Sequence, residues 1–294
     1  MLRPLNSYFR TFIINKRRFH TNNCLYEVYE RPRSGYPLVY DEPPITKDKS
    51  FREKLKIGYN IFKNDCNLFA QEVRAKFGYG VTAVSPFEEN VIFKFDGTEK
   101  SLKEWIVNYD SVYNEGFSTA KLELSPSGTG IFHGILNTTV PKDGRLTRSG
   151  YCNITTIPKY KSFGRKYYYD WSSFNRLILR VRGDGRCYMV NILHKGYVDI
   201  TWNHMWNYVM YTRGGPYWQT VTIPFAKFVF SNKGVVQDQQ FRMPETEVTN
   251  LGITLADKKP GPFRLEIDYI AVRNDETNFE DCAYEMYDTS KPDE

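Results

Sequence analysis

Apolar residues recur along the chain first with a helical period and then with an alternating one. Phe51, Leu55, Tyr59, Phe62, Cys66, Phe69, Val73 and Phe77 follow one another at intervals of 4, 4, 3, 4, 3, 4 and 4 residues. That spacing lines them along one face of an α-helix. Lys49, Arg52, Glu53, Lys56, Glu72 and Lys76 fall off the stripe, and Gly78 and Gly80 supply a stop. Gly58 weakens the middle by about 1 kcal/mol relative to Ala. The pattern predicts an amphipathic helix over residues 47–80. Its narrow stripe either packs along the main domain or docks to a partner or a membrane surface. The candidate docking face is Phe51, Leu55, Tyr59, Phe62, Phe69 and Val73.

From about Trp105 the period shortens to two. Leu122 and Leu124; Ile131, His133 and Ile135; Leu177, Leu179 and Val181; Tyr188, Val190 and Ile192; Val221 and Ile223; Leu251, Ile253 and Leu255; and Phe263, Leu265, Ile267 and Tyr269 form short alternating runs. Alternation places one face of each strand on a core and leaves the other wet, as in antiparallel sheets. Turn-forming clusters separate the runs, among them Ser125-Pro126-Ser127-Gly128 and Lys259-Pro260-Gly261-Pro262. Val181-Arg182-Gly183-Asp184-Gly185-Arg186 predicts a tight hairpin, because glycine supplies the positive φ such turns need. Seven or more strands with almost no helix between them predict a β-sandwich or jelly roll, and no βαβ rhythm is present.

Charge changes the picture at the two ends. The 294-residue chain carries a formal net charge of +6, which raises the question of a nucleic-acid or acidic-membrane partner. Five of those charges lie in residues 1–23, as Arg3, Arg10, Lys16, Arg17 and Arg18, with no acid before Glu27. Basic, acid-free, hydroxylated and amphipathic, residues 1–23 read as a mitochondrial transit peptide. Residues 24–46, rich in Tyr and Pro, read as a linker, and residues 276–294 as an acidic tail. Residues 24–294 together carry only +1, which removes the case for nucleic acid. Five scattered cysteines (Cys24, Cys66, Cys152, Cys187 and Cys282) make no disulfide framework and suit a reducing compartment.

Catalytic chemistry finds little support. His133, His194 and His204 match no metal spacing, and HExxH, GxSxG and P-loop motifs do not occur. Gly128-Thr129-Gly130-Ile131-Phe132-His133-Gly134 brushes against a dinucleotide fingerprint but precedes a β run, so its glycines read as a turn and bulge. Glu266 and Asp268 alternate with Leu265, Ile267 and Tyr269 and are expected on the solvent side of a strand. The densest feature is aromatic: Tyr167-Tyr168-Tyr169-Asp170-Trp171, then Trp202, Trp206, Tyr208, Tyr211, Tyr217 and Trp218. Loop-borne Trp and Tyr suit partner recognition, so Trp202, Trp206, Tyr208 and Trp218 are the candidate partner-binding residues, expected to be partly exposed. The same aromatics could stack on a sugar, so a carbohydrate-binding jelly roll is the alternative.

Three further segments stand out in order. Leu177-Ile178-Leu179-Arg180-Val181-Arg182-Gly183-Asp184-Gly185-Arg186-Cys187-Tyr188 is followed by Trp218-Gln219-Thr220-Val221-Thr222-Ile223-Pro224-Phe225-Ala226-Lys227-Phe228. Leu251-Gly252-Ile253 and Gly261-Pro262-Phe263-Arg264-Leu265-Glu266-Ile267-Asp268-Tyr269-Ile270 complete the series. Together with Trp105 and Glu115-Gly116-Phe117-Ser118, they resemble the complex I intermediate-associated protein family of thirty kilodaltons, over about residues 100–275. The resemblance implies a galactose-binding-like jelly roll without catalysis or cofactor, in an assembly factor for NADH:ubiquinone oxidoreductase. It further implies a place in the mitochondrial matrix, peripheral to the inner membrane. The partners it implies are ECSIT, an acyl-CoA dehydrogenase-like factor and membrane-arm assembly intermediates.

Overall fold

The computed structural model describes residues 51–78 and 85–277, apart from 143, 145, 196–203, 233 and 234. The expected presequence and linker, most of the acidic tail and Trp202 lie outside the described residues. The chain divides after Ile61 into two units. Described residues of the first begin helix α1 (Phe51–Gly78), and those of the second comprise the rest of α1 and a β-sandwich. Glu53 occupies the first turn of α1, where the helix dipole favours an acid. None of its described side chains is buried, and Phe77 is 85% exposed.

Two antiparallel sheets make the sandwich. The first runs β3 (Thr119–Leu124), β4 (Gly130–Leu136), β13 (Gly261–Arg273), β6 (Arg176–Arg182), β9 (Gln219–Pro224), with β1 (Glu89–Lys94) also paired to β13. The second runs β11 (Val235–Val236), β10 (Val229–Asn232), β8 (His204–Tyr211), β7 (Cys187–His194), β12 (Val248–Leu255), β5 (Cys152–Thr156), β2 (Trp105–Tyr109). The chain crosses repeatedly from one sheet to the other, among other places between β4 and β5, between β6 and β7, and between β12 and β13. As a result β13 lies between β4 and β6 while β12 lies between β5 and β7. That wrapping is a jelly roll.

Alternation accounts for the core. Leu177, Leu179 and Val181 of β6 and Leu265, Ile267 and Ile270 of β13 cluster with Tyr188, Val190 and Ile192 of β7 and Leu251, Ile253 and Leu255 of β12. Each of these is at most 1% exposed. At about 25 cal/mol per Å² of apolar surface, such burial is the main favourable term in folding.

Four expectations are corrected by the structure. Val181–Arg186 joins no paired strands: β6 and β7 belong to different sheets, so the Gly183-Asp184-Gly185 turn is a corner from one layer to the other. Gly183 is pressed so closely on Thr212 that a Cβ would lie 2.3 Å from that side chain. In β4 the buried residues are Phe132 and Leu136, not Ile131, His133 and Ile135. The Phe132 ring meets Phe263 edge-on at 4.9 Å, and this larger pair takes the inner face. His204–Tyr211 is a strand rather than a loop, and turns Trp206, Tyr208 and Met210 toward the core. β1 extends the sheet to residues before 100, where Phe93 packs on Trp105 at 5.5 Å.

Two polar nodes hold connections in place. Asp110, fully buried, accepts from the Ser118 backbone N–H at 2.7 Å and hydroxyl at 3.0 Å, from Gly150 N–H at 3.0 Å and from the Ser149 hydroxyl at 3.1 Å. A Cβ at Gly116 would lie 2.1 Å from Asp110 Oδ2, so that carboxylate demands glycine there. The second node is Arg186. Its Nε and Nη2 donate to Asp257 Oδ2 and Oδ1 at 2.9 and 2.7 Å, and Nη1 donates to the carbonyls of Gly261 and Pro262 at 3.3 and 3.1 Å. Burial opposes the charge on Asp257, but hydrogen bonds from Arg186 and Lys259 and the attraction of Arg186 outweigh it and hold the carboxyl below its usual range. Arg186→Ala leaves that carboxylate uncompensated and is expected to destabilise the fold by about 3–5 kcal/mol. Urea unfolding checks the loss, and the Arg186→Ala, Asp257→Ala double variant should lose less than the two single losses added together.

Candidate functional site

The outer face of the first sheet carries the densest arrangement of charge and aromatics. Strand β6 buries Leu177, Leu179 and Val181 and so turns Arg180 and Arg182 to the other face. On β13, Glu266 stands opposite Arg182. Arg182 Nε donates to Glu266 Oε2 at 3.1 Å, the Thr129 hydroxyl donates to Oε1 at 2.5 Å, and Arg264 Nη2 lies 3.9 Å away. Asp268, at a register shift in the β13–β6 pairing, takes Arg180 Nη1 at 3.1 Å. The expectation of a solvent-facing Glu266 is thus corrected. The pleat points it away from the core, but Arg182 and Thr129 cover it until its side chain is 1% exposed. Burial pushes its pKa up, and the bonds from Thr129 and Arg182 with the attraction of Arg182 and Arg264 more than reverse this, leaving it below the usual carboxylate range.

Trp218, just before β9, lies under both arginines. The guanidinium carbons of Arg182 and Arg180 stand 5.1 and 5.6 Å from its ring centroid, within cation–π range. Beside the stack opens a cleft of about 150 Å³ lined by Arg182, Gly183, Asp184, Gly215, Pro216, Arg264 and Glu266. Tyr217 is 78% exposed, and the Arg264 side chain is also exposed. General acid catalysis by a carboxyl calls for a raised pKa, whereas Glu266 is shifted the other way. Trp, Tyr and Arg at a partly exposed surface are the residue types that dominate recognition hot spots.

The candidate anchors are therefore not brought together. Trp218 joins the arginine stack, and Tyr208 is half-buried against the core, 5.8 Å from Phe228. Trp206 is buried, packed between His194 at 4.5 Å and Phe230 at 5.0 Å, so its expected exposure is corrected. Phe51 lies in α1 with its side chain outside the described ones, whereas Leu55, Tyr59, Phe62, Phe69 and Val73 are exposed. The sequence reading missed Arg180 and Arg182, whose signal was their alternation with buried leucines. It also missed Phe163, whose ring lies 6.2 and 6.0 Å from those of Phe62 and Phe69 and which carries a φ of 56°. The histidines stay apart: His133 Nε2 meets Glu123 at 3.2 Å, His194 packs on Trp206, and His204 packs on Phe230 at 4.9 Å. Among the described residues no group of three His, Cys, Asp or Glu could hold a metal ion.

The described residues form a jelly-roll sandwich with an arginine–aromatic outer face, preceded by a helix with exposed apolar side chains. The chain belongs to the complex I intermediate-associated protein 30 family, whose model matches residues 93–267. It is 42% identical over 280 residues to the mitochondrial complex I intermediate-associated protein 30 of Drosophila melanogaster, covering 94% of this chain and 92% of that protein. The Mus musculus protein of that name is 40% identical over 83% of this chain and 73% of its own length. A probable Caenorhabditis briggsae counterpart is 43% identical, over 68% of this chain and 58% of its own. Among solved structures, a family 11 carbohydrate-binding module from Clostridium thermocellum aligns at a TM-score of 0.43 and 17% identity, over 64% of this chain and 95% of the module.

His194 provides a test of the packing around Trp206. Burial lowers its pKa from 6.5 to about 4, against a smaller opposing effect of its bond to the Pro244 carbonyl. The unfolded chain takes up a proton that the folded one refuses. Stability is therefore expected to be full above pH 6.5 and to fall as the pH drops from 6.5 toward 4. Urea midpoints measured across that window should flatten in His194→Gln.

Proposed function

We propose that this chain is a non-enzymatic assembly factor for mitochondrial respiratory complex I, acting by protein–protein binding. The observation that carries the reading is its 42% identity to the Drosophila complex I intermediate-associated protein 30 across 94% of its length. The finer parts of the proposal are a matrix location peripheral to the inner membrane and stabilisation of a membrane-arm intermediate. ECSIT and an acyl-CoA dehydrogenase-like factor complete the proposed company. The assembly-factor domain is taken as the expected residues 100–275 extended back to β1 at Glu89, with residues 1–23 as its import signal.

Two surfaces support a binding role. Tyr217, Trp218 and Arg264 offer an aromatic–basic patch whose scaffold is rigid, because Arg180 and Arg182 are tied to Asp268 and Glu266. The exposed stripe of α1 offers an apolar one.

Deleting the gene is expected to lower assembled complex I on native gels while leaving the other respiratory complexes unchanged; normal assembly in the null would end the proposal. Restoring the gene with Tyr217→Ala and Trp218→Ala should return a folded protein whose affinity for its assembly partners is down about tenfold or more. Quantitative co-purification reads that loss.

A further inference from the structure

The part of α1 that belongs to the sandwich unit, residues 62–78, carries an apolar seam. Phe62, Cys66, Phe69 and Val73 are spaced 4, 3 and 4 residues apart. Two apolar positions in seven make the narrow seam by which one helix receives another, whereas a single helix that lies on lipid presents a wider apolar face. Among the described residues the seam is only partly covered: Phe62 is 54% and Phe69 45% exposed. Residues 62–78 also carry a basic flank. Lys63 and Arg74 are exposed on one side of the seam. On the other side Glu72 is already engaged, accepting from the Ser162 N–H at 2.7 Å and hydroxyl at 3.2 Å and from Arg165.

That engagement shows how the seam takes a knob. Phe163, in the left-handed region at φ 56°, places its ring 6.2 Å from Phe62 and 6.0 Å from Phe69. A non-glycine residue there costs free energy unless neighbours hold it, and the clasp of Glu72 on Ser162 and Arg165 is what holds it. One hole of the seam is filled from within the chain, and the seam continues past it to Val73.

From this we propose that residues 62–78 seat an amphipathic helix of a partner protein whose apolar seam is flanked by acidic residues. The proposal rests on reading α1 as a docking element, and it names the chemistry of what docks. Glutamates beside the partner's seam would meet Lys63 and Arg74, and its apolar knobs would enter the holes beyond Phe163.

The test uses the full chain and a synthetic helix of about three heptads with Leu at the seam and Glu on both flanks. Cys66 is an exposed thiol in the seam, so its alkylation, read by mass spectrometry on its own peptide, reports occupancy. The Glu-flanked peptide is expected to slow alkylation of Cys66 about tenfold at saturation, and a Lys-flanked peptide is expected to leave it unchanged. Phe69→Glu should weaken binding at least about tenfold. Arg74→Glu, which keeps a good helix former, should shift the preference toward the Lys-flanked peptide, so the idea stays testable if Phe69→Glu frays the helix. No protection by the Glu-flanked peptide, or equal protection by both peptides, would overturn the proposal. Protection of Cys66 by phosphatidylcholine–phosphatidylserine vesicles with none by the peptide would overturn it in favour of a lipid surface. The measurement reads binding alone, so its outcome is separate from whether a gene deletion impairs complex I.

Discussion

The guanidinium of Arg186 ties together the two corners on which the sandwich depends. It starts where β6 leaves one sheet and β7 enters the other, and it bonds to Asp257 and to the carbonyls of Gly261 and Pro262, where β12 gives way to β13. β13 is the middle strand of the first sheet and β12 an inner strand of the second, next to β7. At these two corners the strands that follow one another lie in different layers, so the corners are held by no ladder hydrogen bonds of their own. A buried, multiply bonded charge pair supplies the directional hold that apolar packing lacks.

With β13 so placed, its outward residues become the partners of β6. Glu266 and Asp268 meet Arg182 and Arg180, and both guanidiniums stack on Trp218. The paired charges leave this face stiff and locally balanced, with the cleft and Tyr217 at its margin. Helix α1 is different. None of its described side chains is buried, and the clasp of Glu72 on the Ser162–Arg165 turn ties its C-terminal part to the sandwich. The chain thus combines a rigid polar–aromatic face with a lightly attached apolar seam.

The legibility of the fold followed the strength of the periodic signal. Strands β7 and β12, central in their sheet and buried at Tyr188, Val190, Ile192, Leu251, Ile253 and Leu255, showed plain alternation. Strand β4 is apolar at Ile131 and Ile135 on one face and at Phe132 and Leu136 on the other, so period two alone selects neither, and the Phe132–Phe263 contact made the choice. Strand β8 hid behind His204, Asn207 and three aromatics, a composition equally suited to a loop. The Gly183-Asp184-Gly185 turn was legible as a turn but not as a corner, since glycine permits the bend in either setting.

By itself the sequence determined the class of structure: a long amphipathic helix, then short alternating strands, with basic residues gathered at one end and acidic residues at the other. Local spacing is enough for that, because helix and strand periods are properties of the backbone. The tertiary structure alone decided which strands share a sheet, which face of β4 is inside, and that Glu266 is buried under an arginine while Trp206 is lost to the core. Those outcomes depend on partners far away in the chain, 137 residues for Thr129 and Glu266. No local pattern encodes a contact whose other half arrives only when the two layers close.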